Sequence, residues 1–199
     1  TLLTTSIYRF HPDFKDQVTI WWGDPDVVHG RATLEGGDVM PIGNGVVLIG
    51  MGERTTAQAV LQVAQSLFRH EAAQRVVACR FPKSRAAMHL DTVFTMCDRD
   101  LVNVYQKGVE EIETFSIYPA TKPGDVDVVP DDKPSLDVVR EALGLKKLRV
   151  VGTGGDWFAQ QREPWDDGNN VVAPAPGAIL AYARNVPLNP KLRQEGIEL

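Results

Sequence analysis

The apolar positions of the chain fall into short runs and helical stripes that recur in a fixed order. Val39-Met40-Pro41-Ile42 reads as a brief strand, Gly43-Asn44-Gly45 as a tight turn, and Val46 to Gly50 as a buried returning strand. Thr55 or Thr56 then stands at a helix N-cap position. From Ala57 to Phe68, Val60, Leu61, Ala64, Leu67 and Phe68 recur at helical spacing and predict an apolar face, and Arg75 to Phe81 closes the unit as a strand. A second unit opens at Met88-His89-Leu90-Asp91, with a strand through Thr92 to Met96, a turn at Cys97 to Asp100 and a return from Leu101 to Tyr105. The Pro- and Asp-rich stretch from Tyr118 to Pro134 reads as a long loop. Ser135 is expected to cap a helix carrying Leu136, Val139 and Leu143 that stops at Gly144, before a closing strand from Lys147 to Val151. A third unit starts at Asp167-Gly168-Asn169-Asn170, with strands from Val171 and from Ala178 around a Pro176-Gly177 turn, and a short helix near Pro190 to Gln194.

Each unit is thus strand, turn, strand, helix, strand. One such unit leaves a face of its sheet unburied, so several are expected to stack around an axis within a single domain over residues 1–199. An open α/β sheet fits repeated hairpins less well than βαβ alternation would. Asp38, Asp91 and Asn170 each stand at the start of a first strand, where a ring of units brings them to one centre.

Composition narrows the function classes. Hydrophobic residues make up 43% and charged residues 24% of 199, ordinary globular usage that supports a substantial core. A formal net charge of -5 gives no general electrostatic pull toward nucleic acid or an anionic membrane. No apolar run is long enough to span a bilayer, and Thr1 to Phe10 lacks the features of a signal peptide. The two cysteines, Cys79 and Cys97, sit in apolar stretches and read as buried thiols suited to a reducing cytosol, so a cytoplasmic location is expected. The text opens in mid-pattern without a Met, which leads us to expect a piece of something longer.

The sharpest chemistry is at His89-Leu90-Asp91. In a strand, alternate residues share a face, so imidazole and carboxylate are expected side by side. Glu35-Gly36-Gly37-Asp38 adds two carboxylates beside glycines, where backbone or ligand can approach closely. Carboxylates around a histidine describe a site for a cation with a proton to move. A lone His-x-Asp is more often a satisfied hydrogen-bonding pair, and Glu-Gly-Gly-Asp alone is more often a turn. Their repeat-equivalent positions raise the functional reading. No second histidine stands at ligand spacing, so no metal site is expected, and His29 and His70 read as surface residues. Arg9 and Arg54 adjoin apolar strands on this reading and are candidates for clamping a carboxylate in forked geometry. Asp125-Val126-Asp127 and Asp166-Asp167 read as loop residues, and Trp21, Trp22, Trp157 and Trp165 as packing or interface residues.

Tyr8-Arg9-Phe10-His11-Pro12, Leu34-Glu35-Gly36-Gly37-Asp38-Val39, Gly52-Glu53-Arg54-Thr55-Thr56 and Met88-His89-Leu90-Asp91-Thr92-Val93-Phe94-Thr95 together resemble the arginine deiminases. Thr153-Gly154-Gly155-Asp156 and Trp165-Asp166-Asp167-Gly168-Asn169-Asn170 extend the resemblance over essentially the whole chain outside the Tyr118 to Pro134 stretch. The Glu-Gly-Gly-Asp element is shared with agmatine deiminases, dimethylarginine hydrolases and amidinotransferases. The resemblance implies an α/β propeller of ββαβ modules, with about three of five present. It implies hydrolysis of L-arginine to L-citrulline and ammonia through a covalent cysteine adduct, without a cofactor. By match, His89 is the acid/base, Glu35 and Asp91 hold the guanidinium nitrogens, Asp38 supports them, and Arg9 and Arg54 hold the substrate carboxylate. The nucleophilic cysteine of the family has no counterpart in Cys79 or Cys97, so this chain alone is expected to be inactive. The competing reading is a non-catalytic arginine- or guanidine-binding remnant or assembly partner. Units missing from a ring leave edges and apolar surface open, so a homo-oligomer is expected.

Overall fold

A computed structural model of the chain describes residues 2–85, 87–152, 158 and 162–199, with no side-chain statement for 163 and 164. The Thr153-Gly154-Gly155-Asp156 element and Trp157 lie outside the described residues. The architecture is mixed α/β. It opens with helix α1 (Leu2–Phe10), which puts Arg9 in a last helical turn and not beside a strand as expected. Leu3, Ile7 and Phe10 fall at helical spacing on it, and Leu3 and Phe10 are about three-quarters exposed, at 76% and 74%.

Three units follow. The first is β1 (Val39–Gly43), β2 (Val46–Met51), α2 (Ala57–Arg69) and β3 (Arg75–Arg80). The β1–β2 turn runs through left-handed backbone at Gly43, Asn44 and Gly45, which is why two glycines flank an asparagine there. Thr56 caps α2 by accepting from the Ala59 N–H at 3.3 Å. The helix buries Ala59, Val60, Val63 and Ala64, whereas Leu61, expected in the apolar face, is exposed. The second unit is β4 (Phe94–Met96), β5 (Leu101–Val104), α3 (Gln106–Glu110), β6 (Glu113–Pro119), β7 (Val126–Pro130), α4 (Ser135–Ala142) and β8 (Arg149–Gly152). The third is β9 (Val172–Ala175), β10 (Ala178–Leu180) and α5 (Asn189–Gln194), with a single parallel bridge between Ala178 and Glu198 in place of a closing strand.

In the first two units an antiparallel hairpin is joined by a parallel third strand, β2 to β3 and β5 to β8. The Tyr118 to Pro134 stretch is not a loop. It supplies the end of β6 and all of β7, an antiparallel hairpin that extends the first unit's sheet to the order β1-β2-β3-β6-β7. Its prolines and aspartates fall at the end of β6 (Pro119), in the turn, where Gly124 is left-handed, in the edge strand β7 (Asp127 and Pro130) and in the link to α4 (Asp131, Asp132 and Pro134). Asp127 therefore lies in a strand. Ser135 is the first helical residue of α4 and not its cap: its hydroxyl donates to the Val109 carbonyl at 3.1 Å. The helix ends as expected, with Gly144 left-handed and Leu145 N–H bonded back to the Arg140 carbonyl.

Strand alternation sorts the core into layers. Leu48, Val77 and Cys79 face Leu90, Val93, Val102, Val104 and the α4 residues Val138 and Val139. Val47, Ile49, Val76, Ala78 and Ile117 face α2. Leu101, on the other side of the second sheet, joins Cys97, Val171, Leu188 and Leu192 under the third unit. Each unit thus shares a core with the next. The segment before β1 straps across α2: the Ser66 hydroxyl donates to the Trp21 carbonyl, and Trp22 Nε1 donates to Gln62. Trp21 stacks on exposed His70, while His29, expected on the surface, is half-buried against Trp22. Trp165 is 65% exposed. No helix among the described residues is long and apolar enough to cross a membrane.

Candidate active site

A turn precedes the first strand of every unit, and one backbone bond defines it. The Asp38 N–H donates to the Glu35 carbonyl, Thr92 to His89, and Asn170 to Asp167, at 3.2, 3.1 and 3.2 Å. Glu35, His89 and Asp167 are therefore equivalent, and so are Asp38, Thr92 and Asn170. The expected equivalence of Asp38 with Asp91 is off by one position, because Asp91 matches Gly37. His89-Leu90-Asp91 is accordingly not a strand: His89 is extended and Leu90–Thr92 is a short 3-10 turn. The two side chains still share a face, and His89 Nδ1 hydrogen bonds Asp91 Oδ1. When Asp91 is ionised its carboxylate only accepts, and the bond then needs the proton on Nδ1.

Gly37 makes room for this pair. A Cβ there would lie 2.6 Å from Asp91 Oδ2 and 2.7 Å from His89 Nδ1. Gly36, by contrast, faces open space, so close approach explains only one of the two glycines. Across from the pair, Arg54 Nη1 lies 3.3 Å from Glu35 Oε1 and its Nη2 lies 3.2 Å from the Met88 sulfur. The Glu35 N–H donates to the Thr55 hydroxyl. Both ends of the Arg54–Glu35 pair are about two-fifths exposed, so it is an open, exchangeable contact.

Asp38 lies beneath, fully buried. Its Oδ1 accepts from the Leu90 N–H at 2.8 Å and its Oδ2 from the Thr55 hydroxyl, which ties the first turn to the second. Burial pushes its carboxyl above the usual range, and the Thr55 and Leu90 donors offset part of that. The Asp91 carboxyl is pushed up too, chiefly by burial, against the lowering influence of His89; the charges of Asp167 and Glu35 push it further.

The structure thus brings Glu35, Asp38, Arg54, His89 and Asp91 together. Arg9 is engaged elsewhere, with Nη2 on Asp24 at 2.5 Å and Nη1 on Asp26 at 2.9 Å. Both cysteines are buried, with thiols pushed up to about 12 by desolvation. Among the described residues no group of histidine, cysteine and acidic side chains could hold a metal ion. Sequence reasoning passed over Thr55 as an Asp38 partner, Met88, and Asp167, read as a loop residue. The signal for Asp167 was present: Glu35-x-x-Asp38-Val39, His89-x-x-Thr92-Val93 and Asp167-x-x-Asn170-Val171 align on the valine.

Against solved structures the chain is similar to DDAH from Pseudomonas aeruginosa, in a cysteine-to-serine variant complexed with citrulline. The identity is 14% and the TM-score 0.55, covering 98% of this chain and 55% of that one. It is also similar to SxtG, an amidinotransferase from Microseira wollei in the saxitoxin biosynthetic pathway, at 13% identity and a TM-score of 0.52. That match covers 93% of this chain and 47% of the other. The chain spans about half the length of these structures. A family model described as arginine deiminase matches residues 1–199.

Proposed function

The chain belongs to the arginine deiminase family, and from that premise we propose that it carries the guanidinium-holding and proton-transferring part of an enzyme that hydrolyses L-arginine to L-citrulline and ammonia. The observation that carries this reading is the His89–Asp91 pair set opposite Glu35 and Arg54. Glu35 and Asp91 accept from the guanidinium N–H groups, and Asp38 holds the two turns in place beneath them. Arg54 takes the substrate carboxylate by leaving Glu35; Arg9 reaches it only by leaving Asp24 and Asp26.

A thiolate adds to the guanidinium carbon and a carbon–sulfur bond forms. As the carbon–nitrogen bond breaks, His89 gives its proton to the departing ammonia. The neutral imidazole then takes one proton from water as it adds to the same carbon, the carbon–sulfur bond breaks to return the thiolate, the second proton of that water passes to the released ammonia to give ammonium, and the ureido group of citrulline is released. Cys79 and Cys97 do not supply the thiolate, since both are buried and stay protonated at neutral pH. The nucleophile enters from polypeptide beyond these residues. The three side-by-side turns fit an α/β propeller of ββαβ modules, and the exposed apolar face of α1 fits association of copies into a homo-oligomer.

The inert thiols favour one alternative, a guanidine-binding subunit without turnover. The two readings separate on His89. In the intact polypeptide, His89→Ala should cut kcat by roughly 10² to 10⁴ while leaving arginine binding largely in place. Unchanged turnover in that variant removes the proposed proton carrier, and arginine binding without citrulline formation in the unaltered polypeptide leaves the binding reading.

A further inference from the structure

We propose that Asp167 is a specificity-determining residue of this site, a carboxylate that selects a cationic guanidinium over the neutral ureido group into which hydrolysis would convert it. The inference rests on the guanidine reading above and adds a residue to it. Asp167 holds the same turn position in the third unit that Glu35 and His89 hold in the first two, by the backbone bond from residue i+3. The turns are stitched side by side. The buried Asp38 carboxylate joins the first to the second at Leu90, and the Thr95 hydroxyl joins the second to the third, 3.1 Å from the Asp91 carbonyl and 2.9 Å from the Asn169 carbonyl. Asn103 anchors the same third turn by donating to the Gly168 carbonyl at 3.2 Å. Asp91 is thereby flanked by Glu35 from one unit and Asp167 from the other, and both charges raise its proton affinity.

Asp167 is held for this position. Its backbone is left-handed, at φ 54°, a conformation that aspartate and asparagine tolerate better than most residues. Arg184 donates to the Asp166 carbonyl and to Asp167 Oδ2, both at 3.1 Å, while its guanidinium stacks over Tyr182 at 4.3 Å. One Asp167 oxygen is thus fixed by Arg184. Asp167 also lines a cavity of about 300 Å³ with Asn170, Val172, Leu180 and Tyr182, on the side of the third unit away from the residues of the first two turns, none of which lines it. A carboxylate beside Asp91 and Glu35, its charge offset in part by Arg184, favours a bound cation over an uncharged ligand of the same shape.

The test uses L-arginine and L-citrulline, which differ in this charge and little in shape, with binding to the 199-residue chain followed by NMR. The unaltered chain should prefer arginine, and Asp167→Asn, which keeps the turn geometry, should reduce that preference by about tenfold. Asp166→Asn, on the neighbouring carboxylate that Arg162 pairs, should leave it unchanged. An equal loss for both ligands in Asp167→Asn would make the residue structural and overturn the proposal, as would no change at all. A second readout separates this from the parent reading. The Asp91 carboxyl, followed by carbon NMR, should titrate at lower pH in Asp167→Asn because a repelling charge is gone. If neither ligand binds the unaltered chain, the guanidine reading fails for these residues, and an unmoved Asp91 titration then overturns the role of Asp167 on its own.

Discussion

The first and second units are stitched by a carboxylate, the second and third by a pair of amides and the Thr95 hydroxyl. Asp38 is fully buried between the Leu90 N–H and the Thr55 hydroxyl. At the other junction Asn169 Nδ2 donates to Asn103 Oδ1 at 2.8 Å, Asn103 donates on to the Gly168 carbonyl, and both asparagines are fully buried. The geometric task is the same, but the electrostatic cost differs. The amide pair carries no charge, though Asn169 Oδ1 is buried without a partner among the described residues, while a buried carboxylate is desolvated and exerts a field on whatever lies above it. The charged junction lies under His89 and Asp91, the neutral one under the third turn.

Removing each junction in turn should show this inequality, and Asp38→Ala should have the larger effect. It leaves the Leu90 N–H and the Thr55 hydroxyl buried without an acceptor, a loss of about 3 kcal/mol measured as a shift of the urea midpoint. Asn103→Ala removes one donor and one acceptor of the neutral pair and should cost about 2 kcal/mol in the same measurement. The reverse order would break the comparison.

The pH dependence of stability sharpens it. Because the Asp38 carboxyl is raised in the folded state, the folded protein binds that proton more tightly than the unfolded chain. Its contribution to stability is then greatest in acid and falls as pH rises from about 4 through the folded pKa, by about 1.4 kcal/mol per unit of displacement. Asp38→Asn should remove this slope, so its stability relative to the unaltered chain should rise with pH in that window. Asn103→Ala should show no such change. Parallel urea midpoints against pH for all three proteins would reveal a slope that does not depend on Asp38.

The smallest effects should be seen in thiol labelling, since Cys79 lies in the core beneath the charged junction and Cys97 in the core beneath the neutral one. With thiols at about 12, iodoacetamide at pH 8 should modify neither in the folded chain. Asp38→Ala should admit label at Cys79 first, and Asn103→Ala at Cys97 first. Mass mapping of partly labelled protein reads the order, and labelling of both at one rate would mean that the junctions open together.

Much of this was legible in the sequence, for identifiable reasons. Strands β2 to β5 and helix α2 announce themselves because each buries a continuous run or a helical stripe, and the glycine-flanked Asn44 turn places the less buried β1 as the partner of β2. The β6–β7 hairpin was hidden because an edge strand needs only one buried face, so the residues around Val126 carry as much polarity as a loop would. The site residues were legible as types but not as partners. His89 and Asp91 were expected together and are, for a reason other than strand alternation. Arg54 was expected to hold a substrate carboxylate, and its contact with Glu35 at 3.3 Å is a partner that the residue types alone did not announce. The strong helical spacing that moves Arg9 onto α1 was overlooked beside the motif that contains it.

The same hairpin also bears on the order in which the chain acquires its shape. Strand β6 lies between β5 and β8 in sequence, yet it pairs with β3 in the sheet of the unit before. During synthesis the first sheet must wait with β3 as an open edge until residue 119 has emerged. The second sheet in turn lacks β8 until the whole of that hairpin has emerged. Neither sheet can reach its final form from its own uninterrupted stretch of chain, so the first two units are expected to fold in one cooperative step and not as successive beads on a string.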